Sequence, residues 1–239
     1  MENDFFEQRV DLSKLNDAVE KIKQTIGSVI VGQHEAIDLL ITGILADGHI
    51  LIEGVPGVAK TLTAKLMARC IDAKFSRIQF TPDLMPADVL GTSVFNPKNA
   101  EFEFKHGPVF GNMVLIDEIN RAPAKTQSAL FEVMEERQVT IDGHTYRMDQ
   151  PFIVLATQNP VEHEGTYRLP EAQLDRFLFK IEIPYPSLEE EILIITQQHQ
   201  VKTVNQIAEI APVLTAAEIV GLREQVREFH VEAKLVEFV

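Results

Sequence analysis

The stretch GVPGVAKT at residues 54–61 decides the fold, because it joins a strand-like segment to a helical one through a glycine-rich loop. An apolar run at residues 49–52 precedes the loop, and a helical pattern at residues 61–70 follows it. Backbone N–H groups of such a loop and the positive end of the helix bind phosphate. Lys60 would bridge the terminal phosphates of a nucleotide, and Thr61 would bind Mg²⁺. The stretch predicts a phosphate-binding loop; the structural alternative is a turn followed by a solvated lysine.

The loop departs from the usual phosphate-loop pattern at Ala59, where glycine is usual. Alanine keeps the backbone N–H donor and adds only a methyl group. We therefore expect the loop to bind phosphate despite the departure.

Short apolar runs alternate with helical patterns along most of the chain. The apolar runs cover residues 49–52, 76–80, 113–116, 152–156 and 178–183, and the helical patterns cover residues 13–27, 34–46, 61–70 and 124–135. Strand-length apolar runs separated by helices are typical of a parallel sheet that helices cover on both faces. The predicted fold class is therefore α/β.

Two hairpins are predicted to interrupt this alternation. One spans about residues 92–105, and the other spans about residues 138–148 around the turn Asp142-Gly143. An Asp-Gly pair between strand-like segments is a strong hairpin signal.

The chain is predicted to divide near residue 187. Residues 1–186 would form the α/β core with an N-terminal helix, and residues 187–239 would begin a helical lid that is incomplete. Thr215, with Glu218 three residues later, predicts a capping box at a helix start. The helical patterns of this part cover residues 188–199 and 216–229.

The apolar run at residues 113–116 leads into two carboxylates, Asp117 and Glu118. Hydrolysis of a nucleotide needs a metal and a positioned, activated water. At the C-terminal end of a strand, Asp117 is expected to hold Mg²⁺, and Glu118 is expected to act as general base on the attacking water. A solvated acidic turn is the structural alternative, which the preceding phosphate loop disfavours.

A further polar side chain, Asn159, comes shortly after the apolar run at residues 152–156. Ligands of open α/β sheets bind at the carboxyl ends of the strands, so Asn159 is expected near the phosphate loop. There its amide could hydrogen-bond the γ-phosphate or the attacking water. An Asn-Pro turn without a role in binding is the alternative.

Two arginines are candidates for a role between subunits. Arg176 lies just before the apolar run at residues 178–183, and Arg121 lies shortly after the acidic pair. An arginine finger reaches the nucleotide of the next subunit and neutralises charge in the transition state. For Arg176 the alternative is a local ion pair with a neighbouring acid, and Arg121 is the weaker candidate.

Composition limits the other classes of function. The chain of 239 residues has 22 basic and 36 acidic residues, a net charge of −14 that disfavours non-specific binding to nucleic acid or anionic lipid. Cys70 is the only cysteine, so neither an internal disulfide nor a cysteine metal cluster is expected. The N-terminus lacks the pattern of a signal peptide, and no apolar run approaches the roughly 20 residues of a membrane span. We therefore expect a cytoplasmic protein without a transmembrane segment.

The strings GVPGVAKT, LIDEINRAPAKTQSALFEVMEERQVTIDG, ATQNP and LPEAQLDRF resemble the MoxR family of AAA+ ATPases. The resemblance covers about residues 30–186. It implies a five-stranded sheet of order 5-1-4-3-2, with ATP and Mg²⁺ bound between the subunits of a ring, typically a hexamer. It identifies Asn159 as the residue called sensor 1 and Arg176 as the arginine finger. It also identifies the hairpins as the helix-2 and pre-sensor-1 insertions of magnesium chelatase and the minichromosome maintenance helicases.

The resemblance further implies which residues surround the nucleotide and what the protein acts on. MoxR-like ATPases are thought to be chaperones, often with von Willebrand factor A domain partners, that mature other proteins or insert cofactors into them. Their adenine lies near a segment upstream of the phosphate loop. The expected nucleotide-binding residues are Val31, Gly32, Gln33, Val55, Pro56, Gly57, Val58, Ala59, Lys60, Thr61 and Leu62.

Two positions depart from the family pattern. Arg168 stands where proline is usual, which leaves the role of that loop open. The lid of such proteins carries a sensor 2 arginine near a helix start, and the chain stops before such a motif. Arg223 and Arg227 lie in the predicted lid but do not match it.

Three alternatives from other classes of function remain. A nucleic-acid motor shares the hairpins but would need basic hairpin tips; here Lys98, Lys105, His144 and Arg147 lie among acids. A regulatory nucleotide-binding module would have little use for Glu118. A small-molecule kinase would explain neither Arg176 nor the hairpins.

Overall fold

Helices and strands alternate along the chain as the apolar runs predict. The structure, a computed structural model, describes residues 12–55, 57–159, 169–200, 210–228 and 234, leaving aside the side chains of residues 197–200. Pro56 and Arg168, both named above, lie outside the described residues.

The described residues form the following helices and strands. The helices are α1 (Ser13–Gly27), α2 (His34–Leu45), α3 (Lys60–Cys70), α4 (Pro86–Leu90), α5 (Ala124–Glu136), α6 (Glu171–Leu174), α7 (Leu188–Gln200) and α8 (Ala216–Arg227), with a 3-10 turn at Ile119–Arg121. The strands are β1 (His49–Gly54), β2 (Phe75–Gln79), β3 (Gly91–Asn96), β4 (Glu101–His106), β5 (Met113–Asp117), β6 (Gln138–Ile141), β7 (His144–Arg147), β8 (Ile153–Gln158) and β9 (Phe177–Ile183).

Several predicted boundaries differ by one or two residues from those in the structure, and two examples show why. The strand predicted at residues 76–80 is Phe75–Gln79, because its ladder with β5 ends where Gln79 pairs with Asp117. The helix predicted at residues 216–229 ends at Arg227.

Five parallel strands form the central sheet, in the order β2-β5-β8-β1-β9. Counting only these strands along the chain, the order is 5-1-4-3-2, which confirms the prediction. The strand β1 lies between β8 and β9, so the loop after it opens at the carboxyl edge of the sheet.

Helices cover both faces of the sheet, because successive residues of a strand point to opposite sides. On one face, Ile50, Ile52 and Leu115 belong to a buried cluster with apolar residues of α1, α2 and α3. On the other face, Leu51 and Val114 belong to a second cluster with apolar residues of α5. The α/β architecture with both faces covered is therefore confirmed.

Two hairpins, β3–β4 and β6–β7, lie outside this sheet and contact each other through aromatic rings. Tyr146 of β7 packs on Phe104 of β4 with ring centroids 4.3 Å apart. Nearer the tip of β3–β4, Phe95 and Phe102 contact each other and are 51% and 72% exposed. The turn of β6–β7 has left-handed backbone at Asp142 (φ 52°) and at the following glycine (φ 77°), as the predicted Asp-Gly turn requires.

The helix α8 begins with the predicted capping box. The N–H of Glu218 donates to Thr215 Oγ1 over 3.2 Å, and the N–H of Thr215 donates to the Glu218 carboxylate over 2.7 Å. From this helix, Arg223 reaches α2, where its Nε donates to the carbonyl of Ile44 over 2.8 Å. The division of the chain into core and lid at residue 187 stays a prediction. Across the described ranges, no helix is long and apolar enough to cross a membrane.

Candidate active site

The loop between β1 and α3 exposes backbone donors at the carboxyl edge of the sheet. Gly57 (φ 92°) and Ala59 (φ 57°) both have left-handed backbone, and a Cβ on Gly57 would meet nothing within 4 Å. The N-cap residue of α3 is Ala59, whose methyl side chain cannot cap the helix. Gln33 Nε2 donates to the carbonyl of Val58 over 3.1 Å and so ties the loop to the start of α2. Lys60 Nζ donates to the carbonyl of Gly54.

Thr61 and Asp117 face each other across the edge of the sheet. Thr61 Oγ1 lies 3.5 Å from Asp117 Oδ2, although the two residues are 56 positions apart in sequence. Thr157, near the end of β8, donates from its Oγ1 to Asp117 Oδ1 over 3.3 Å. The Asp117 side chain is only 9% exposed, so these donors hold it in one orientation. The structure brings together the two residues that the sequence proposes as metal ligands.

Arg77 of β2 also contacts Asp117, and no motif in the sequence indicates it. Arg77 Nε lies 2.6 Å from Asp117 Oδ2. Side chains two positions apart on a strand share a face, so Arg77 and Gln79 both lie on the face of Asp117. That period was visible in the sequence, but the register between β2 and β5 was not.

Glu118 follows β5 with left-handed backbone (φ 58°), which turns its side chain away from the strand ladder. Its Oε2 accepts from Gln79 Nε2 over 2.8 Å and from Arg121 Nη1 over 3.0 Å. Its N–H donates to Thr157 Oγ1 over 3.1 Å. Strained backbone of this kind clusters at functional sites, because surrounding contacts must hold it. Arg121 contacts Glu118 of its own chain, so this contact gives no support to a role between subunits.

Asn159 comes directly after β8 and is 7% exposed. In the ladder between β1 and β8, Gln158 pairs with Glu53, so Asn159 comes level with Gly54 at the start of the loop. The amide therefore lies at the same edge of the sheet as Lys60 and Asp117, as the sequence predicts.

Arg176 lies at the opposite edge of the sheet from the phosphate loop. It precedes β9, where Phe177 pairs with His49, whereas Gly54 at the loop pairs with Ile183 at the far end of the same strand. At about 3.3 Å per residue the separation along the strand is roughly 20 Å. Arg176 Nη1 donates to the carbonyl of Ala172 over 2.6 Å, and its Nε lies 3.7 Å from Glu135 Oε2, so the local ion pair that is the alternative for this arginine is present. Arg176 is thus separated from the other site residues within one chain.

The segment proposed for the adenine lies against the first turn of α7. Gly32 has left-handed backbone (φ 69°), and a Cβ there would come within 2.1 Å of Glu190 Oε1. The N–H of Ser187 donates to Glu190 Oε2 over 2.7 Å and lowers the pKa of that carboxyl. The Glu190 carboxylate therefore lies beside residues 31–33, whose role toward adenine remains a prediction.

The residues at this edge fit a magnesium-bound triphosphate. An uncapped helix start beside a lysine fits an anion, and the hydroxyl and carboxylate oxygens of Thr61 and Asp117 are ligands that Mg²⁺ prefers. When bound, Mg²⁺ would neutralise charge on the phosphate oxygens.

Comparisons with known proteins agree with this arrangement. The family described as "ATPase family associated with various cellular activities (AAA)" matches residues 49–179. A crystal structure of a protein classed as an ATPase, from Cytophaga hutchinsonii, superposes with a TM-score of 0.84 at 44% identity, covering 94% of this chain and 68% of that one.

Two curated relatives are similar over most of the chain. Chaperone MoxR1 of Mycobacterium tuberculosis is 55% identical over 77% of this chain and 48% of its own length. The uncharacterized protein YeaC of Bacillus subtilis is 47% identical over 94% of this chain and 69% of its own length. The chain thus spans about half of MoxR1 and about two thirds of YeaC. It belongs to the MoxR family of AAA+ ATPases.

Proposed function

We propose that the chain binds Mg·ATP at the carboxyl edge of the sheet and hydrolyses it with Glu118 as general base. The observation that carries this proposal is the meeting of Thr61 and Asp117 at the start of α3, with Glu118 joined to Asp117 through the hydroxyl of Thr157. The loop N–H groups and Lys60 bind the phosphates, and Thr61 and Asp117 hold the metal. Glu118 accepts the proton of the attacking water, and Asn159 orients the γ-phosphate or that water.

Arg176 acts on the nucleotide of a neighbouring subunit. Its distance from the loop of its own chain, roughly 20 Å along β9, rules out direct contact with the phosphates bound there. Contacts with Ala172, with the ring of Phe131 and with the exposed carboxylate of Glu135 hold the guanidinium in place, and about a third of the side chain is exposed. A ring of subunits, with a hexamer as the expected form, would bring Arg176 to the next site.

Mixing two inactive variants tests this shared site. Arg176→Ala and Lys60→Ala are each expected to lose hydrolysis, since one lacks the finger and the other lacks the phosphate ligand. In an equal mixture, about a quarter of the subunit contacts pair an intact Lys60 with an intact Arg176. The hydrolysis rate of the mixture should therefore rise to about a quarter of the parental rate. A mixture as inactive as its components would refute action between subunits, and an Arg176→Ala variant with parental activity would refute the finger.

The energy of hydrolysis is used to remodel a partner protein. MoxR1 is named a chaperone, and the aromatic tip of β3–β4 supports a protein partner. Phe95 and Phe102 are exposed there beside Glu101 and Glu103, which would repel the phosphates of a nucleic acid. The finer proposal is maturation of a client or insertion of its cofactor, with a von Willebrand factor A domain protein as partner.

A nucleotide-trapped variant tests the partner proposal. Glu118→Gln should bind ATP without hydrolysing it, so a client that prefers the ATP state should stay bound. The same proteins should be retained with ATP, be absent with ADP, and be absent from Lys60→Ala in either nucleotide. Retention that does not depend on the nucleotide would argue against an ATP-driven cycle.

A further inference from the structure

We propose that Arg77 is a positioning residue that couples the metal carboxylate, Asp117, to the general base, Glu118, through the amide of Gln79. This inference rests on the proposed function of the acidic pair. It concerns residues of β2, an edge strand outside the phosphate loop and the acidic motif.

The contacts form one continuous path across the edge of the sheet. Arg77 Nε lies 2.6 Å from Asp117 Oδ2, and Arg77 Nη2 donates to Gln79 Oε1 over 3.4 Å. Gln79 Nε2 in turn donates to Glu118 Oε2 over 2.8 Å. Each step joins a donor to an acceptor, so the path runs unbroken from one carboxylate to the other.

The two contacts of Gln79 fix the orientation of its amide. The carbonyl oxygen accepts from Arg77, and the amide nitrogen donates to Glu118. A reversed amide would set N–H groups against the guanidinium and an oxygen against the carboxylate, losing both hydrogen bonds. Arg77 therefore favours the amide orientation in which Gln79 holds Glu118.

Arg77 also sets the charge at the metal carboxylate. Its guanidinium lies on the same oxygen, Oδ2, that faces Thr61. A positive charge at this distance opposes a divalent cation, although solvent screens the effect because the Arg77 side chain is 48% exposed. Arg77 thus tunes metal affinity through its charge and base orientation through its forked geometry. A lysine at this position would supply only the charge.

Three variants separate charge from geometry. Arg77→Gln removes both, Arg77→Lys keeps the charge, and Lys74→Gln is the matched control that removes an exposed charge before β2. The first readout is Mn²⁺ affinity in the presence of a non-hydrolysable ATP analogue, measured from the paramagnetic resonance of free Mn²⁺. Arg77→Gln should bind Mn²⁺ about three- to tenfold more tightly than the parent protein, and the other two variants should stay within about twofold.

The second readout is turnover. Arg77→Gln and Arg77→Lys should both lower kcat about tenfold with little change in the KM for ATP, because both misplace the base and leave the phosphate loop intact. Gln79→Ala should lower kcat similarly, and combining it with Arg77→Lys should add little, since both break the same path. Unchanged Mn²⁺ affinity in Arg77→Gln, parental kcat in Arg77→Lys, or additive losses in the double variant would each overturn the proposal. A parent protein that binds neither Mn²⁺ nor nucleotide would instead refute the proposed function itself.

Discussion

Charged residues lie at both ends of β1, but they make different kinds of contact. At the carboxyl edge, α3 begins at Lys60, and Asp117 lies 3.5 Å from the hydroxyl of Thr61 in its first turn. At the amino edge, Asp47 accepts from Arg137 and Arg223 and lies 3.7 Å from Arg227. We call this group, together with His49, the Asp47 cluster.

The Asp47 cluster ties three parts of the chain together. Arg137 follows α5, Arg223 and Arg227 belong to α8, and Asp47 precedes β1. Both edges also carry left-handed residues, with Asp47 at φ 60° opposite Ala59 at φ 57°. Strained backbone and clustered charge therefore do not by themselves mark a binding site. The charges of the amino edge stabilise the fold by joining distant segments, whereas the pairs Arg77–Asp117 and Arg121–Glu118 of the carboxyl edge lie where we propose that the nucleotide binds.

The largest expected effect is the loss of stability on removing Asp47. Asp47→Ala leaves Arg223, whose side chain is 5% exposed, without its carboxylate, and should lower the free energy of unfolding by about 3–5 kcal/mol. Denaturant unfolding at pH 7.5 measures the change. The control is Asp38→Ala, which breaks the exposed pair with Lys23 and should cost about 1 kcal/mol or less. Equal losses in both variants would contradict the assignment of the Asp47 cluster to stability.

A substitution at the carboxyl edge should weaken ATP binding and leave the free energy of unfolding unchanged. Lys60→Ala should weaken ATP affinity about a hundredfold, because charge-assisted hydrogen bonds to the phosphates are lost. Equilibrium titration with a fluorescent ATP analogue measures this, and unfolding should stay close to that of the parent protein. Lys65→Ala, an exposed lysine of the same helix, is the control and should bind normally. Parental ATP affinity in Lys60→Ala would contradict the proposal that this loop binds the phosphates.

The buried imidazole of His49 should make the amino edge sensitive to acid. The N–H of Val154 donates to Nδ1 over 3.0 Å, and Nε2 contacts the carbonyl of Met134 over 3.1 Å, so the neutral ring is fully paired. Burial lowers the pKa of His49 to about 4. In the unfolded chain the imidazole takes up a proton near pH 6.5, whereas in the folded chain it does so only near pH 4. The free energy of unfolding therefore falls as the pH drops from about 6.5 to about 4.

The expected loss is about 2 kcal/mol between pH 7.5 and pH 5. His49→Gln should lose this part of the pH dependence, whereas His144→Gln, an exposed histidine on β7, should retain it. Thermal unfolding across the pH range measures both. An unchanged pH profile in His49→Gln would contradict the assignment.

The smallest expected effect concerns the cap of α8. Thr215→Ala removes the hydroxyl that accepts from the N–H of Glu218 and should cost about 1 kcal/mol. The loss should be smaller than that of Asp47→Ala, because the ion pairs of Arg223 remain. Thr196→Ala, whose hydroxyl donates to a carbonyl within α7, is the control and should change the melting temperature little. A larger loss of unfolding free energy in Thr215→Ala than in Asp47→Ala would contradict the expectation that the Asp47 ion pairs stabilise the fold more than the cap does.

Sequence patterns predicted the sheet and most of the carboxyl edge. Apolar runs mark the core strands, and parallel strands end at one edge, so Asp117 and Asn159 could be expected beside Lys60. Contacts that depend on register or on distant segments could not be read in this way. Arg77 meets Asp117 only because β2 pairs with β5 in one register, and Arg223 meets Asp47 across 176 positions of sequence.

We propose above that Glu118 acts as general base on a water molecule beside ATP, which binds at the carboxyl edge of the sheet. The most direct test of this role is nucleotide titration and single-turnover hydrolysis by Glu118→Gln, with Glu132→Gln on α5 as a control for the lost charge. Glu118→Gln should bind ATP with nearly parental affinity and hydrolyse it about a hundredfold or more slowly, whereas the control should match the parent protein. Parental turnover in Glu118→Gln would contradict the claim.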